Sequence, residues 1–230
     1  DVRGEQLLGP VRPAGRRPRP VRDPPSGGRP ADRHLLPPPA ARTAGLRRFE
    51  ALDDLDRVLT ISIHQDGRTL FPGTGGLDEI GRSKGKGFGV NLPLPPGTGD
   101  EIYLWAFDQI VPPLVTRFRP DVVVTQLGVD THFLDPLAEL MLTTRGQEAV
   151  FRRLARLAPR WLALGGGGYN IDVVPRAWSL ALGVMTGVEL PPELPLEYRQ
   201  HYGGTTLHDD SSPRLDPDLQ AGVREIVGDR

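Results

Sequence analysis

Cysteine is absent from all 230 residues, which excludes disulfides and thiolate-held metals and leaves His, Asp, Glu and backbone oxygen as available ligands. Histidine is scarce, with only His34, His64, His132, His201 and His208 present. No stretch approaches the ~20 apolar residues that a membrane helix needs, and the start of the chain lacks the charged-then-apolar order of a signal peptide. A cytoplasmic protein without a membrane partner is expected. Lysine is nearly missing too, two residues against 26 arginines. What is present, 38% hydrophobic and 25% charged residues, suffices for a sizeable core in one large domain or two small ones.

The net charge of -1 conceals two unlike parts. Residues 1–48 hold eleven Arg against four acids, with ten Pro and no Lys or aromatic residue, whereas the remainder carries eight more acids than bases. Such a segment cannot assemble a core and is expected to be disordered. Its Arg clusters suit phosphates, which gives a nucleic-acid-binding reading. No aromatic platform or recognisable module accompanies them, and this argues against nucleic acid as the partner.

From Arg57 onward, short apolar runs alternate with helical segments, the signature of an α/β fold with a parallel sheet. Strands are predicted over Arg57–Ile63, Gly89–Pro95 and Val122–Leu127, and in "RWLALGGGGYN"; the third reads as buried on both faces. Thr98 and Glu101 stand at capping-box spacing before a helix with Ile102, Trp105, Ile110 and Leu114 on its apolar face, and Pro112 and Pro113 should kink it. Thr144 and Gln147 cap the next helix, in which Val150, Phe151, Leu154 and Leu157 recur at helical spacing. Asp172 starts another, with Pro175 in its first turn and an end near Gly187. The predicted organisation is therefore a disordered segment over 1–48, an α/β domain over 49–200, and an irregular tail over 201–230 with a short helix from Pro217. Right-handed crossovers bring the C-terminal ends of the strands to one edge, where ligands bind in such sheets.

Two stretches fall at that edge. "VVVTQLGVDTHFLDPLAEL" places Gly128, Asp130, His132 and Asp135 just past the third strand, as either a solvated turn with an N-capping Asp or a metal ledge. "GGGGYN" (165–170) has four consecutive glycines, tolerated where the chain takes positive φ or approaches something closely. A phosphate loop would need Lys and Ser/Thr after the last Gly, where Tyr169 and Asn170 stand. "GRSKGKG" fails the same pattern because Ile80 holds the place of its first Gly. Tyr169 is then either a packing residue or a hydroxyl aimed into a pocket as donor to a developing oxyanion. In "ISIHQDGRTLFPGTGG", His64 reads as structural before it reads as a ligand. Phe71 either lines a narrow apolar channel or sits in a tight turn.

In this order, "SIHQDGRTLFPGTGG", "GRSKGKGFGVNLPL", "QLGVDTHFLDPL" and "LGGGGYN" closely resemble the histone deacetylase superfamily, especially its bacterial acetoin-utilisation branch. The resemblance covers about Arg57 to Pro195. It implies an arginase/deacetylase-like three-layer α/β sandwich around a mostly parallel sheet, incomplete here. It further implies hydrolysis of N-acetyl amides at zinc, the substrate being acetyl-lysine in proteins or a small acetylated amine. By resemblance, Asp130 is one of three zinc ligands and Tyr169 the oxyanion donor. Phe71, Gly167 and Gly168 line the substrate channel, Ser62 and Ile63 offer oxygens to a monovalent cation, usually potassium, and Asp135 supports the loop.

The same resemblance implies two further zinc ligands in a D-x-H motif shortly before the first strand, and a His-His pair upstream of it. Ala41 and Thr43 stand at the first pair of positions, Arg16 and Arg17 at the second. Arg, Pro, Ala and Gly use GC-rich codons, so residues 12–48 are read as an out-of-frame or degraded form of a catalytic half. The coding DNA in its other frames should then contain both motifs. A non-catalytic remnant of the family is the alternative to an active enzyme, and exposed apolar surface with an unpaired edge on the strand Val58–Ile63 is expected in either case.

Overall fold

The computed structural model describes residues 52–158, 160–202 and 204–228. The expectations for residues 1–48, including their disorder, their Arg-rich nucleic-acid reading and the positions of Arg16, Arg17, Ala41 and Thr43, lie outside the described residues.

Among the described residues four strands form, as the apolar runs predict: β1 (Thr60–Gln65), β2 (Gly89–Leu94), β3 (Val123–Leu127) and β4 (Trp161–Gly165). β1 lies three residues later than its predicted start. These strands pair in parallel, β1 with β2 in the register Ile61↔Val90 and β3 with β4 in the register Val124↔Leu162. Among the described residues these are two separate two-stranded sheets rather than one continuous sheet, and β1 has β2 as its one strand partner. Ile61 and Ile63 of β1 nevertheless pack against the apolar cluster that holds Leu127 of β3, so the two sheets share a core.

β3 corrects the expectation of burial on both faces. Leu127 is buried and Val123 and Thr125 are half-buried, but Val122 is 47% exposed and Val124 51%. The paired strand repeats the pattern, with Trp161 and Ala163 packed inward while Leu162 is 52% and Leu164 39% exposed. A parallel sheet is ordinarily covered on both faces. Here one face is covered and the other is bare.

The helices are α1 (Asp100–Phe118), α2 (Thr144–Leu157), α3 (Val173–Thr186), α4 (Leu196–Tyr202) and α5 (Pro217–Gly228). α4 has no counterpart among the predicted helices and crosses the boundary expected at residue 200. Neither predicted capping box forms. Gly99 is the N-cap of α1, and the Thr98 hydroxyl donates back to the Pro95 carbonyl at 2.6 Å. Thr143, not Thr144, caps α2 by accepting from the Gly146 amide at 3.2 Å. At α3, the Asn170 side-chain oxygen accepts from the Asp172 and Val173 amides, and Asp172 itself makes no capping bond. The buried face of α1 comprises Ile102, Tyr103, Ala106, Phe107 and Val111. Only Ile102 of its predicted face is fully buried, because α1 lies between two apolar clusters and turns a broad face to both. Phe151 and Leu154 of α2 are buried as predicted. Leu207 and Val223, both past residue 200, belong to the two clusters. No helix among the described residues is long and apolar enough to cross a membrane.

Candidate active site

Two loops at the C-terminal ends of β3 and β4 carry the candidate residues, and parallel pairing places those ends side by side. The Val129 amide donates to the Gly167 carbonyl at 2.7 Å. The Asp130 carboxylate lies directly on the Gly167 backbone, where a Cβ would stand 2.1 Å from Asp130 Oδ2. Gly168 takes φ +137, and a Cβ there would fall 2.4 Å from Val129 Cγ2. Close approach of two loops thus explains two of the four glycines. Burial raises the Asp130 carboxyl above the ordinary carboxylate range, the nearby Asp135 charge adds to this, and the residue's own amide opposes it. Tyr103, buried on α1, is also raised, by burial and then by the Asp130 charge.

Asp135 ties the two loops together. Its Oδ1 accepts from the Leu137 and Ala138 amides at 2.9 and 3.1 Å, and its Oδ2 accepts from the Tyr169 amide at 2.9 Å. Asn170 adds a bond from Nδ2 to the Leu134 carbonyl at 2.9 Å. The Tyr169 backbone is therefore fixed against the loop that holds Asp130, while its side chain is half exposed. Phe71 is 76% exposed on the loop after β1, and among the described residues no hydrogen bond or ring contact joins it to Asp130 or Tyr169. Ser62 Oγ lies 2.9 Å from His64 Nδ1, and His64 Nε2 lies 3.1 Å from the Gly75 carbonyl. That carbonyl can only accept, so Nε2 carries the proton, and the Ser62 hydroxyl donates to Nδ1. Burial holds His64 below the ordinary histidine range against the raising effect of these bonds. The side chain of Ile63 packs into both clusters.

His132 is not a metal ligand in this arrangement but a buried strut. Its Nδ1 accepts from the Leu134 amide at 3.1 Å, so Nε2 carries a proton and donates to Asp209 Oδ2 at 2.9 Å. The same oxygen accepts from the Thr144 amide and hydroxyl at 2.7 and 2.8 Å, and Asp209 Oδ1 accepts from Arg176 Nη1 at 3.0 Å. Burial alone would raise the Asp209 carboxyl, but the bonds from His132 and Thr144 outweigh it and hold the group well below the usual range. Gln147 completes the support, its Nε2 donating to Val129 O and Thr131 Oγ1 on either side of Asp130. Sequence reasoning does not find Asp209 and reads Gln147 only as a helix cap. Asp209 sits beside Asp210, which takes only the exposed Thr205 and Thr206 hydroxyls, and nothing local distinguishes the two.

Residues 49–185 match the model of the histone deacetylase domain. The chain belongs to the histone deacetylase family. Within that family it is 42% identical over 156 residues to the acetoin utilization protein AcuC of Bacillus subtilis, a match covering 64% of this chain and 40% of that protein. It is 39% identical to histone deacetylase B of Dictyostelium discoideum, over 66% of this chain and 36% of that protein. A crystal structure of a histone deacetylase homolog from Aquifex aeolicus superposes with a TM-score of 0.68 at 28% identity, covering 77% of this chain and 52% of that one. A structure of such a homolog complexed with SAHA gives the same TM-score at 29% identity. The chain thus spans about two fifths of the length of the curated relatives it matches. The deacetylase-type α/β fold follows from these superpositions.

A zinc site is a different matter. Among the described residues no group of three or more His, Asp or Glu side chains is placed to hold a metal ion. Asp130 alone would supply one ligand where structural and catalytic zinc sites need at least three from protein, so the described residues do not by themselves fit the metal.

Proposed function

We propose that this chain contributes one part of a hydrolytic site for N-acetyl amides, acetyl-lysine in proteins or small acetylated amines, of the zinc-dependent kind. The observation that carries the reading is the locked pair of loops, in which Asp135 and the Gly167 backbone hold Tyr169 and Asp130 at one sheet edge. In this assignment Asp130 is one zinc ligand, and the Tyr169 phenol donates a hydrogen bond to the oxygen that gains charge as the amide is attacked. Such a donor is worth about 2.7–4 kcal/mol of barrier where it has been removed elsewhere. Phe71, Gly167 and Gly168 are assigned to the acyl channel, and Ser62 and Ile63 would offer oxygens to a monovalent cation, usually potassium.

A second reading, a family member without activity of its own, is favoured by the absence of a three-ligand group among the described residues. Metal content and turnover of an acetyl-lysine peptide decide between them. Stoichiometric zinc with turnover that Tyr169→Phe removes supports the hydrolase in this chain alone. Substoichiometric zinc without turnover supports the inactive form. Full turnover in Tyr169→Phe overturns the role given to the phenol.

A further inference from the structure

We propose that the N-terminal edge of the strands is a binding surface for the phosphate backbone of a single-stranded nucleic acid, on the side of the molecule away from the candidate active site.

Six exposed basic side chains gather at that edge. Lys84 and Lys86, the only lysines in the chain, lie in the loop that leads into β2. Arg117 sits in the last turn of α1 and Arg119 is its C-cap; Arg156 sits in the last turn of α2, and Arg160 directly precedes β4. Contacts join the three stretches. The Phe88 ring, two residues past Lys86, meets the Phe118 ring, between Arg117 and Arg119, edge to face with centroids 6.1 Å apart. The Val123 amide, four residues past Arg119, donates to the Arg160 carbonyl at 2.9 Å. Arg153, one turn before Arg156, donates to Asp108 of α1 at 2.7 and 2.9 Å, which sets the two helices side by side.

Charge in this band is unbalanced. Residues 81–88, 117–122 and 156–160 hold Asp121 as their one acid. Among the described residues none of the six has a carboxylate partner, whereas the neighbouring Arg82 is paired with Asp53. Yet the chain from residue 49 onward carries eight more acids than bases. Asp66, Asp130 and Asp135 follow the opposite ends of the strands, so the two charges are segregated across the molecule. A helix C-terminus favours a cation, which accounts for Arg117 and Arg156. Lys84, Lys86 and Arg160 lie beyond both helices and have no such reason to be there.

Unpaired guanidinium and ammonium groups in a band fit phosphates, which guanidinium grips with two parallel bonds. A lipid surface wants apolar anchors beside the charge, and Val122 is the one large apolar side chain exposed in these stretches. What accompanies the charges instead is the aromatic pair Phe88 and Phe118, half-buried among them. Aromatic rings beside a basic track are how single strands are held. The Arg-rich residues 1–48 contain no aromatic residue and lack this element.

The test measures binding of the full chain to fluorescein-labelled oligothymidylate and oligouridylate by anisotropy over a range of salt. Affinity that falls linearly with log salt is expected. The variant Lys86→Gln, Arg119→Asn, Arg160→Gln should weaken binding about tenfold or more at low salt and lower the salt slope by about two, at about 0.7 per phosphate contact. All three side chains are exposed, and Asn tolerates the left-handed φ of 53 at Arg119, so circular dichroism and melting should match the parent. Where they do not, Lys86→Gln with Arg160→Gln should lower the slope by about 1.4. A control variant, Arg68→Gln, Arg199→Gln, Arg214→Gln, removes the same charge from exposed positions elsewhere and should leave binding nearly unchanged. A loss in the control equal to that in the band variant overturns the surface in favour of net charge alone, and binding that the band variant leaves intact overturns it in favour of residues 1–48. Absence of binding at low salt overturns it as well. So does displacement by polyglutamate as effective as that by unlabelled oligonucleotide, in favour of an acidic polypeptide, and so does binding to phosphatidylglycerol vesicles without binding to either oligonucleotide, in favour of lipid. Tighter binding of one oligonucleotide supports the surface and names the sugar it prefers.

Discussion

Asp209→Asn isolates the carboxylate that fastens the C-terminal segment to the loop of Asp130. Its side chain is 6% exposed, and its two oxygens accept four hydrogen bonds, three at Oδ2 and one at Oδ1. An amide of the same shape has one acceptor oxygen. Turned toward His132 and Thr144, it points its NH2 group at the Arg176 guanidinium; turned the other way, it faces three donors with a donor. His132 is fully buried and Arg176 5% exposed, so neither finds water as a replacement. Loss of one charge-assisted bond, with the weakening of the others, gives a destabilisation of about 2–4 kcal/mol, against a total of about 5–15 kcal/mol for an ordinary domain. Melting should drop by roughly 5–15 °C. The pH dependence has a definite sign. Asp209 is held below the ordinary carboxylate value in the folded chain, so its contribution is complete above about pH 4, the unfolded value, and is lost as the pH falls further toward the folded one. Urea unfolding followed by circular dichroism from pH 7 to pH 2 reads both quantities. A gap between parent and variant below about 0.5 kcal/mol at pH 7, or one that stays constant down to pH 2, would refute the reasoning.

Four other perturbations test the remaining geometry. Asp130 is raised by burial, so its charge opposes folding above its unfolded value and Asp130→Asn should stabilise the metal-free chain at pH 7; the advantage should vanish at low pH, where Asp130 is protonated, and thermal melts at the two pH values check it. Gly167→Ala drives a Cβ into the Asp130 carboxylate and should destabilise by about 1–3 kcal/mol, yet by clearly less in an Asp130→Ala background, as a double-mutant cycle by urea titration will show. His64 is held below its ordinary value by burial, so it contributes stability above about pH 6.5 that is lost as the pH falls; His64→Gln should flatten that part of the stability profile. Finally, the bare apolar face should make the chain bind a hydrophobic dye well above the level of ordinary globular proteins, and Leu162→Glu should lower the signal.

Local signals in the sequence determined the number, order and type of the strands, the course of α1, α2 and α3, and the placement of Asp130 and Tyr169 just past strand ends. Runs of β-branched residues, helical spacing of apolar ones and stop signals such as Gly187 act over a few residues, which is why they are legible without a fold. The four ordered motifs likewise sufficed for the family. Helix caps were less legible, because a neighbour competes for each one: Thr144 is claimed by Asp209, 65 residues away, and Thr143 caps in its place. Only the tertiary structure decided that His132 is a strut rather than a ligand, that Asp209 rather than Asp210 is the anchor, and that Asp135 holds the Tyr169 amide across 34 residues. It alone also showed which face of β3 is bare. A strand's alternation says that two faces exist, but which of them is covered depends on what the rest of the chain, or a partner, brings to it.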